Sequence, residues 1–305
     1  MKDILLEQIQ SVEKIANYSK FRRFLNHPIR YVHAIFHRKF IYSKTKKETI
    51  VGTQLFWGST MQIALPASTD IYLTGGKSHA SEIRLAKFII LNFTEGGHFL
   101  DIGAHYGYFS LLASKLAGTH GKIMSFEPAE KTYNLLRTNT KDLKNTSVFP
   151  LAVSRSLGTL TFYEFPNLHS EYNSSNVSQF ENEAWFTNSK PIKVQVQATT
   201  IDSITADKLF YPQLIKIDVE GGEYDVIEGG INYLKNHSPK IVMEYLEPNR
   251  KNESHKKAVD LLLSMGYTSN IITQDGGILP IDNVDNYLVS ESLESDNIVF
   301  IKIYS

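Results

Sequence analysis

Short apolar runs alternate with segments of helical spacing through the second half of the chain. Segments such as TYNLLRTNTKDL and EYDVIEGGINYLKNH carry apolar residues at helical spacing between the runs. The strand-like runs are HFLDIGA, KIMSFEP, SVFPLAV, LIKIDVE and KIVMEYL. This alternation is typical of βαβ units and predicts an α/β fold, with a mostly parallel sheet covered by helices on both faces. After a helix at about Lys256–Met265, the runs YTSNIIT and NIVFIKIYS are predicted to close the sheet antiparallel.

The first 77 residues have a different pattern. Residues 1–49 have helical spacing, and Pro28 predicts a break between two short helices. GTQLFWGS, MQIALP and DIYLTG then read as short strands separated by Gly, Ser, Pro and Asp, which predicts a small β meander or hairpin. A helical stripe begins at Ser78 and ends before Gly96-Gly97. We therefore predict an extension over 1–77 and an α/β domain over 78–305.

Charge is distributed unevenly along this chain. Its 305 residues carry 32 Lys and Arg and 32 Asp and Glu, yet residues 14–47 contain ten of the basic residues and no acidic one. Apolar residues interleave with these cations, as in a helix lying on an anionic membrane surface: Phe21, Phe24, Leu25, Tyr31, Val32, Ile35, Phe36, Phe40 and Ile41. Two interpretations stay open. Either the apolar side of this segment packs on the body, or the segment makes peripheral contact with a membrane or an acidic partner; nucleic acid is a less favoured partner.

The absence of cysteine excludes several classes of protein. A chain with no cysteine has no disulfide framework, no thiolate zinc site and no cysteine nucleophile, and it suits a reducing compartment. The start, MKDILLEQIQSVEK, lacks the apolar core of a signal peptide, and no run reaches the roughly 18 apolar residues of a membrane-spanning helix. We expect a soluble cytoplasmic protein, with attachment to the inner face of the membrane as the alternative.

The sharpest local motif follows the first strand-like run of the predicted sheet. Asp101 ends that run, and Gly103 and Gly107 follow with the spacing Gly-x-x-x-Gly. A dinucleotide site usually has Gly-x-Gly-x-x-Gly, so this spacing disfavours a pyrophosphate ligand. At the end of the next strand, Glu127-Pro128 places a carboxylate where it can accept hydrogen bonds from a ribose diol. An ordinary tight turn at the glycines and a helix-capping role for Glu127 are the structural alternatives.

Acidic residues also gather at the ends of two later strands. Asp218, Glu220 and Glu223 follow the run LIKI, and Glu244 lies near the end of KIVMEYL. Open α/β sheets bind ligands at this edge, and like charges so close should raise at least one pKa or attract a cation. Lys216 could supply the opposite charge or point away.

Together these segments resemble the FkbM family of S-adenosylmethionine-dependent methyltransferases. The resemblance covers roughly residues 78–247 and lies in DIGAHYGYFS, FEP, AVS at Ala152–Ser154 with Gly158, LIKIDVEGGE, VIEGG and KIVMEYLEP, with a fainter echo in DNIVF. It implies a Rossmann-like class I methyltransferase fold, with the methionine end of the cofactor near the glycine turn and the ribose near Glu127. The residues expected to bind S-adenosylmethionine are Asp101, Gly103, Ala104, His105, Gly107, Glu127, Pro128 and Asp218. The family often has Asn where this chain has His105, so the role of that side chain stays open between cofactor, acceptor and solvent.

Methyl transfer to a hydroxyl needs an aligned acceptor and a group that takes its proton. Asp218 is the first candidate for this base because it ends the fourth strand, and Glu220, Glu223, Glu244 and His105 follow. Alternatively Asp218, Glu220 and Glu244 could hold Mg²⁺, which would acidify a bound hydroxyl. Glu223 could instead be an ordinary acid in the first turn of a helix.

The acceptor is expected at a long insertion, EFPNLHSEYNSSNVSQFENEAWF, between the third and fourth strands. Its polar and aromatic residues suit sugar hydroxyls and ring faces, and the candidates are His169, Tyr172, Ser174, Ser175 and Trp185. The resemblance implies O-methylation of a sugar, a glycan or a related secondary metabolite. Two other classes stay open: a nicotinamide-dependent oxidoreductase, and a membrane- or partner-binding protein that no longer catalyses. The oligomeric state is left open.

Overall fold

Strands and helices alternate from residue 98 onward, after an N-terminal region of helices and one hairpin. The computed structural model describes residues 1–180, 185, 186 and 190–302. Its strands are β1 (Thr49–Gln54), β2 (Thr60–Leu65), β3 (His98–Ile102), β4 (Lys122–Phe126), β5 (Thr146–Phe149), β6 (Ala152–Val153), β7 (Gly158–Glu164), β8 (Ile192–Thr199), β9 (Leu214–Ile217), β10 (Lys240–Leu246), β11 (Thr268–Ile272), β12 (Ile278–Pro280) and β13 (Ser295–Ile301).

The α-helices make up most of the N-terminal region and many of the connections between the strands. They are α1 (Lys2–Ala16), α2 (Lys20–Asn26), α3 (Pro28–Phe36), α4 (Ser43–Thr45), α5 (Thr69–Thr74), α6 (Ala80–Asn92), α7 (Tyr108–Ala117), α8 (Glu130–Thr140), α9 (Ile201–Ile204), α10 (Glu223–Glu228), α11 (Ile231–His237), α12 (Glu253–Ser264) and α13 (Val284–Glu291). A π-helical turn spans His37–Tyr42, and 3-10 helices span Asn167–Tyr172, Ser178–Phe180 and Pro248–Arg250. Among the described residues, no helix is long and apolar enough to cross a bilayer.

The central sheet has eight strands in the order β12-β11-β13-β10-β9-β3-β4-β5. The five strands from β10 to β5 pair in parallel, whereas β13, β11 and β12 pair through antiparallel ladders. The prediction of a mostly parallel α/β sheet closed by antiparallel strands is confirmed. The carboxyl ends of β3, β4, β9 and β10 therefore lie along one edge, which is where this architecture binds ligands.

Two hydrophobic clusters lie on opposite faces of this sheet. Neighbouring residues in one strand belong to different clusters: Phe99 to the first and Leu100 to the second, and likewise Val242 and Ile241. This alternation follows the two-residue period of a strand. Both faces are thus covered, as the apolar runs of a parallel sheet require.

The N-terminal region shares the first cluster with the α/β domain. Leu5, Ile9 and Val12 of α1 are buried in it together with Ile63 of β2 and residues of α6 and α7. An ion pair of 2.7 Å between Lys87 and Glu13 also joins α6 to α1. Residues before position 77 therefore pack against the sheet layer, and the boundary drawn there stays a prediction.

Several local predictions need correction. DIYLTG forms α5 rather than a strand, because Ile71 turns into the first cluster and Gly75, at φ 77°, ends the helix by accepting the left-handed conformation. The N-terminal hairpin is β1 with β2 alone. The break at Pro28 is confirmed, since Pro28 opens α3, although helices α1 to α4 and the π-helical turn replace the two expected helices.

Two runs predicted as single elements are divided. SVFPLAV splits at Pro150, and β5 stays in the central sheet while β6 joins a second sheet of order β6-β8-β7. EYDVIEGGINYLKNH forms α10 and α11, which are separated by Gly229-Gly230. A Cβ at Gly229 would lie 2.1 Å from the carbonyl oxygen of Ser154, so the two backbones approach closely there. The hairpin of β7 and β8 is absent from our predictions, and it carries the long insertion.

Candidate active site

The turn after β3 forms the floor of the site. The backbone N–H groups of Gly103 and Ala104 both donate to the carbonyl oxygen of Phe126 at 3.0 Å, which ties the turn to the end of β4. Gly103 has φ 76°, and a Cβ there would lie 1.7 Å from the carbonyl oxygen of Asp218. Gly107, at φ 90°, precedes the first residue of α7. The glycines thus bring three strand ends together, because no side chain separates the backbones.

A cavity of about 390 Å³ opens above this turn, at the carboxyl edge of the sheet. Of the residues expected to bind the cofactor, Gly103, His105, Glu127, Pro128 and Asp218 line it. Asp101, Ala104 and Gly107 do not. Asp101 is buried at the end of β3, and Ala104 and Gly107 lie within the turn; contact of these three residues with the cofactor stays a prediction.

Glu127 is held in place by backbone hydrogen bonds. Its two carboxylate oxygens accept from the N–H groups of His105 and Ala129, each at 3.0 Å. Burial raises the pKa of Glu127 to about 7, although these two N–H groups oppose the shift. The carboxylate keeps unused lone pairs toward the cavity that it lines.

Lys216 supplies the opposite charge that the sequence left open. Its ammonium group lies 3.1 Å from Asp218, 3.5 Å from Asp101 and 3.1 Å from the carbonyl oxygen of Gly103. Asp101 is fully buried and also accepts a hydrogen bond of 2.5 Å from the Ser110 hydroxyl. Lys216 therefore anchors the glycine turn and Asp218 from below.

Three acids face each other within the cavity. Asp218, Glu220 and Glu244 line it, and one carboxylate oxygen from each lies within 4.8 Å of the others. Burial would raise the pKa of Asp218, but the ammonium groups of Lys216 and Lys77 outweigh it and hold the pKa below its ordinary value. These acids form the group expected to hold a metal, and that role stays a prediction.

The other two acids of the cluster behave in the opposite way. Burial and the neighbouring carboxylate of Asp218 raise the pKa of Glu244 to about 8. Burial is the largest cause that raises the pKa of Glu220 well above its ordinary value, and the neighbouring carboxylates of Glu244 and Asp218 add to it. The cavity therefore contains one acid held ionised and two that hold protons more tightly than usual.

Glu223 lies outside the cavity lining. It is buried in the first turn of α10, where it accepts a hydrogen bond of 3.0 Å from the N–H of Gly221 and lies 3.3 Å from His255. Its place at the start of a helix matches an ordinary acid in a first helical turn rather than a catalytic base. His255 was not singled out from the sequence, because nothing in the sequence links it to β9.

His105 lines the cavity in a left-handed conformation, with φ 50°. Burial and the ammonium group of Lys77 lower the pKa of His105 to about 3, so the imidazole is neutral near pH 7. Its Nε2 lies 3.2 Å from the Ser170 hydroxyl. We therefore assign it hydrogen bonding rather than proton abstraction.

Another wall comes from the segment between β2 and α6 and from the first turn of α6, neither of which the sequence predicts as part of the site. Asp70, Lys77 and Glu82 all line the cavity, and Lys77 lies 3.1 Å from Glu82. Burial would lower the pKa of Lys77, but the carboxylates of Glu82 and Asp218 raise it. The one signal in the sequence is the Gly75-Gly76 turn, which indicates a bend but not the surface that it faces.

The insertion carries an aromatic stack beside the cavity. Tyr172 and Ser175 line the cavity. The ring of Trp185 stacks on His169 at 4.3 Å and on Tyr172 at 4.9 Å. Ser174 is buried and donates its hydroxyl to the backbone oxygens of Asn176 and Glu220, which leaves it unsuited to bind an acceptor. Positions 181–184 of the insertion lie outside the described residues.

The chain is similar to several known methyltransferases. The methyltransferase sdnD of Sordaria araneosa is 29% identical over 187 residues, which cover 52% of this chain and 70% of that protein. A probable cobalt-precorrin-6B C(15)-methyltransferase (decarboxylating) of Thermoplasma volcanium is 45% identical over 77 residues, covering 25% of this chain and 38% of that protein. The solved structure of a methyltransferase FkbM from Methylobacillus flagellatus KT aligns with a TM-score of 0.43 and 14% identity, over 77% of this chain and 52% of that one.

The family match includes most of the residues that form the site. Residues 101–269, more than half of the chain, match the family described as the methyltransferase FkbM domain. They extend from the acid before the glycine turn to the start of β11, and so include the glycine turn, Glu127 and the three-acid cluster. The chain belongs to the FkbM family of S-adenosylmethionine-dependent methyltransferases.

Proposed function

We propose that this methyltransferase acts on a hydroxyl oxygen of a sugar, a glycan or a related polar metabolite. The observation that carries the proposal is the pair Glu220 and Glu244, two cavity acids whose pKa is raised beside an acid that is held ionised. A carboxylate is a better proton acceptor when its pKa lies near the working pH. Transfer to oxygen requires such a group, because an unactivated hydroxyl is a weak nucleophile.

The residues of the cavity fit S-adenosylmethionine. When bound, this cofactor supplies an electrophilic methyl group on a sulfonium. The close backbone approach at Gly103 leaves open space above the turn, and the ionised Asp218 provides a negative charge for a cationic ligand. Glu127 has lone pairs for a diol, while Leu151 and Val153 offer apolar walls. We assign cofactor binding to this half of the cavity.

The structure changes the order of the candidate bases. Asp218 was the first candidate from the sequence, but a carboxylate with a lowered pKa is a weak proton acceptor. Glu244, with a pKa of about 8, becomes the preferred base and Glu220 the second. Asp218 then provides a negative charge for the cationic cofactor, and the neutral imidazole of His105 orients a hydroxyl group.

The acceptor side is assigned to the insertion and the β2–α6 segment. Tyr172 and Ser175 offer hydroxyl groups, and Lys77 and Glu82 offer charged hydrogen-bond partners at the same cavity. Such a mixture suits a polyhydroxylated ligand, since each hydroxyl can both donate and accept. His169 and Trp185 support Tyr172 from behind rather than line the cavity.

A second version of the mechanism uses Mg²⁺ at Asp218, Glu220 and Glu244. Three oxygens within 4.8 Å could share one hard cation, which prefers carboxylate ligands. The family assignment removes support for the nicotinamide alternative. A membrane- or partner-binding protein that no longer catalyses could keep the cavity, but it would have no use for two acids whose pKa is raised.

A labelled-methyl transfer assay tests the proposal. The full chain is incubated with S-adenosylmethionine carrying a labelled methyl group and with host extracts of glycans and lipid-linked glycans, with and without a chelator. We expect label in a glycan fraction, stable to mild base as an ether is, and loss of transfer in Glu244→Gln. Label on nitrogen or carbon would contradict the proposal, and a loss of transfer with chelator would favour the metal version.

Binding measurements provide the control for that assay. S-adenosylhomocysteine should raise the melting temperature of both wild type and Glu244→Gln, whereas NAD should raise neither. A Glu244→Gln variant that binds the cofactor but does not transfer separates catalysis from folding.

A further inference from the structure

The surface of α2, α3 and the following π-helical turn exposes apolar side chains. Ile29 is 84% exposed, Phe21 69% and Leu25 60%. Val32 and Phe36 are exposed as well, and Ile29, Val32 and Phe36 are spaced to share one face of α3. In contrast, α1 buries Leu5, Ile9 and Val12. The interpretation in which the apolar side of the basic segment packs on the body is therefore wrong for α2 and α3.

The same surface is basic. All ten Lys and Arg of residues 14–47 lie in the described part of the chain, and there none of them forms a salt bridge. Eight of the ten are exposed: Lys14, Lys20, Arg22, Arg38, Lys39, Lys44, Lys46 and Lys47. Exposed apolar groups between unpaired cations are what an interfacial helix presents to an anionic bilayer.

The less exposed residues of this segment hold two elements of the cavity wall. Arg30 donates to the backbone oxygen of Tyr72 at 3.2 Å, and the ring of His33 lies 3.2 Å from the Tyr72 hydroxyl. Tyr72 belongs to α5, next to Asp70 and Ile71 of the cavity lining. The N–H of Leu168, in the 3-10 helix that leads to Tyr172, donates to the hydroxyl of buried Tyr42 at 3.2 Å. The exposed surface is thus continuous with the rim of the cavity.

We propose that α2, α3 and the π-helical turn dock the enzyme on an anionic lipid bilayer, so that its acceptors are reached at the membrane surface. A second copy of the chain is a poorer occupant, because pairing this face with itself would oppose two sets of unpaired cations. Nucleic acid would use the cations but would leave the apolar face in water. The rest of the chain has 22 basic and 32 acidic residues, so its repulsion from anionic lipid favours contact through this segment alone.

Vesicle co-sedimentation of the full chain tests the docking directly. We expect binding to vesicles in which phosphatidylglycerol replaces part of the phosphatidylcholine, little binding to pure phosphatidylcholine, and weaker binding in high salt. The triple variant Lys20→Glu, Arg38→Glu, Lys39→Glu, which changes exposed cations of α2 and the π-helical turn, should weaken the partition by about a hundredfold or more. The double variant Ile29→Glu, Val32→Glu should weaken it by at least about tenfold.

A matched control tests whether an added negative charge by itself weakens vesicle binding. Val289 in α13 is 62% exposed, and α13 packs on the opposite face of the sheet through Leu288, so Val289→Glu should bind vesicles like wild type. Melting temperatures verify that every variant is folded. Equal binding by Val289→Glu and the two test variants, or no preference for anionic lipid, would overturn the proposal.

Two further readouts identify other occupants. Sedimentation velocity showing a dimer that only Ile29→Glu, Val32→Glu disrupts, without vesicle binding, would assign the face to a second copy. Retention of a duplex oligonucleotide without vesicle binding would assign it to nucleic acid. None of these readouts uses methyl transfer, so failure of the docking proposal is distinguishable from failure of the proposed reaction.

Discussion

Gly103→Ala measures how closely the turn after β3 must approach the end of β9. The added methyl carbon would lie 1.7 Å from the carbonyl oxygen of Asp218, and Cβ atoms essentially never come within 3.0 Å of such an atom. Neither backbone is free to move, since Gly103 and Ala104 donate to Phe126 and Asp218 donates to Ile102, all at 3.0 Å. The substitution must therefore break part of this arrangement.

Two costs set the expected magnitude. A left-handed conformation costs an alanine about 1–2 kcal/mol, and forcing a methyl group into packed space costs about 1–3 kcal/mol more. We expect the free energy of unfolding of Gly103→Ala to fall by about 3 kcal/mol. Gly96→Ala is the matched control, because Gly96 has φ 72° and nothing within 4 Å of its Cβ. The free energy of unfolding of Gly96→Ala should fall only by the cost of the left-handed conformation, about 1–2 kcal/mol.

Urea unfolding followed by circular dichroism gives both free energies, and calorimetry with S-adenosylhomocysteine gives the second readout. Because Asp218 lines the cavity, displacing its backbone should weaken binding of S-adenosylhomocysteine by at least about tenfold in Gly103→Ala and not in Gly96→Ala. Equal losses of stability in the two variants, with equal affinity, would refute the argument that close backbone approach at Gly103 builds the site.

The remaining predictions concern the side chains of the cavity. Glu127→Ala should abolish S-adenosylhomocysteine binding while the fold persists, and calorimetry that finds wild-type affinity would remove Glu127 from the site. The pKa of Glu244 is raised from 4.5 to about 8, so the folded wild type becomes less stable relative to its unfolded state as the pH rises between these values. The melting temperature of Glu244→Gln should therefore rise relative to that of wild type over this range. Because kcat/KM for S-adenosylmethionine reports the free enzyme, its wild-type value should rise with pH up to about 8, and a rising limb retained in Glu244→Gln would exclude Glu244 as the base. In a Trp57→Phe background, which leaves Trp185 as the only tryptophan, acceptor binding should change the fluorescence; Trp185→Ala should raise the acceptor KM without changing S-adenosylhomocysteine affinity.

Local sequence patterns predict the half of the site that lies at strand ends. Gly103, Glu127 and Asp218 each follow an apolar run, and parallel pairing brings the ends of those runs to one edge. The direction of Lys216 could not be predicted, because both faces of a central parallel strand are buried and apolar neighbours do not distinguish them. Its partner in register is Asp101 on β3, so the ion pairs depend on strand register, which single runs do not specify.

The other half of the site depends on packing between distant segments. Lys77 and Glu82 reach the cavity because Gly76 lets its loop lie against the start of α7, where a Cβ would come within 2.9 Å of the Tyr108 hydroxyl. No short-range motif encodes that contact. The sequence also could not predict which acid is the preferred base, because the pKa of each acid depends on which charges from other strands lie beside it.

The arrangement of charges in the cavity links proton acceptance to the presence of a cationic ligand. Lys216 and Lys77 keep Asp218 ionised, so the site presents a fixed negative charge, while Glu220 and Glu244 hold protons because burial and that charge both oppose their ionisation. A positive charge brought near Asp218 offsets the second of these causes and lowers the pKa of both acids. We therefore expect the pKa of Glu244 to be lower with S-adenosylmethionine bound than with S-adenosylhomocysteine bound. A base that is available only with the methyl donor present would limit proton abstraction to complexes in which transfer can follow.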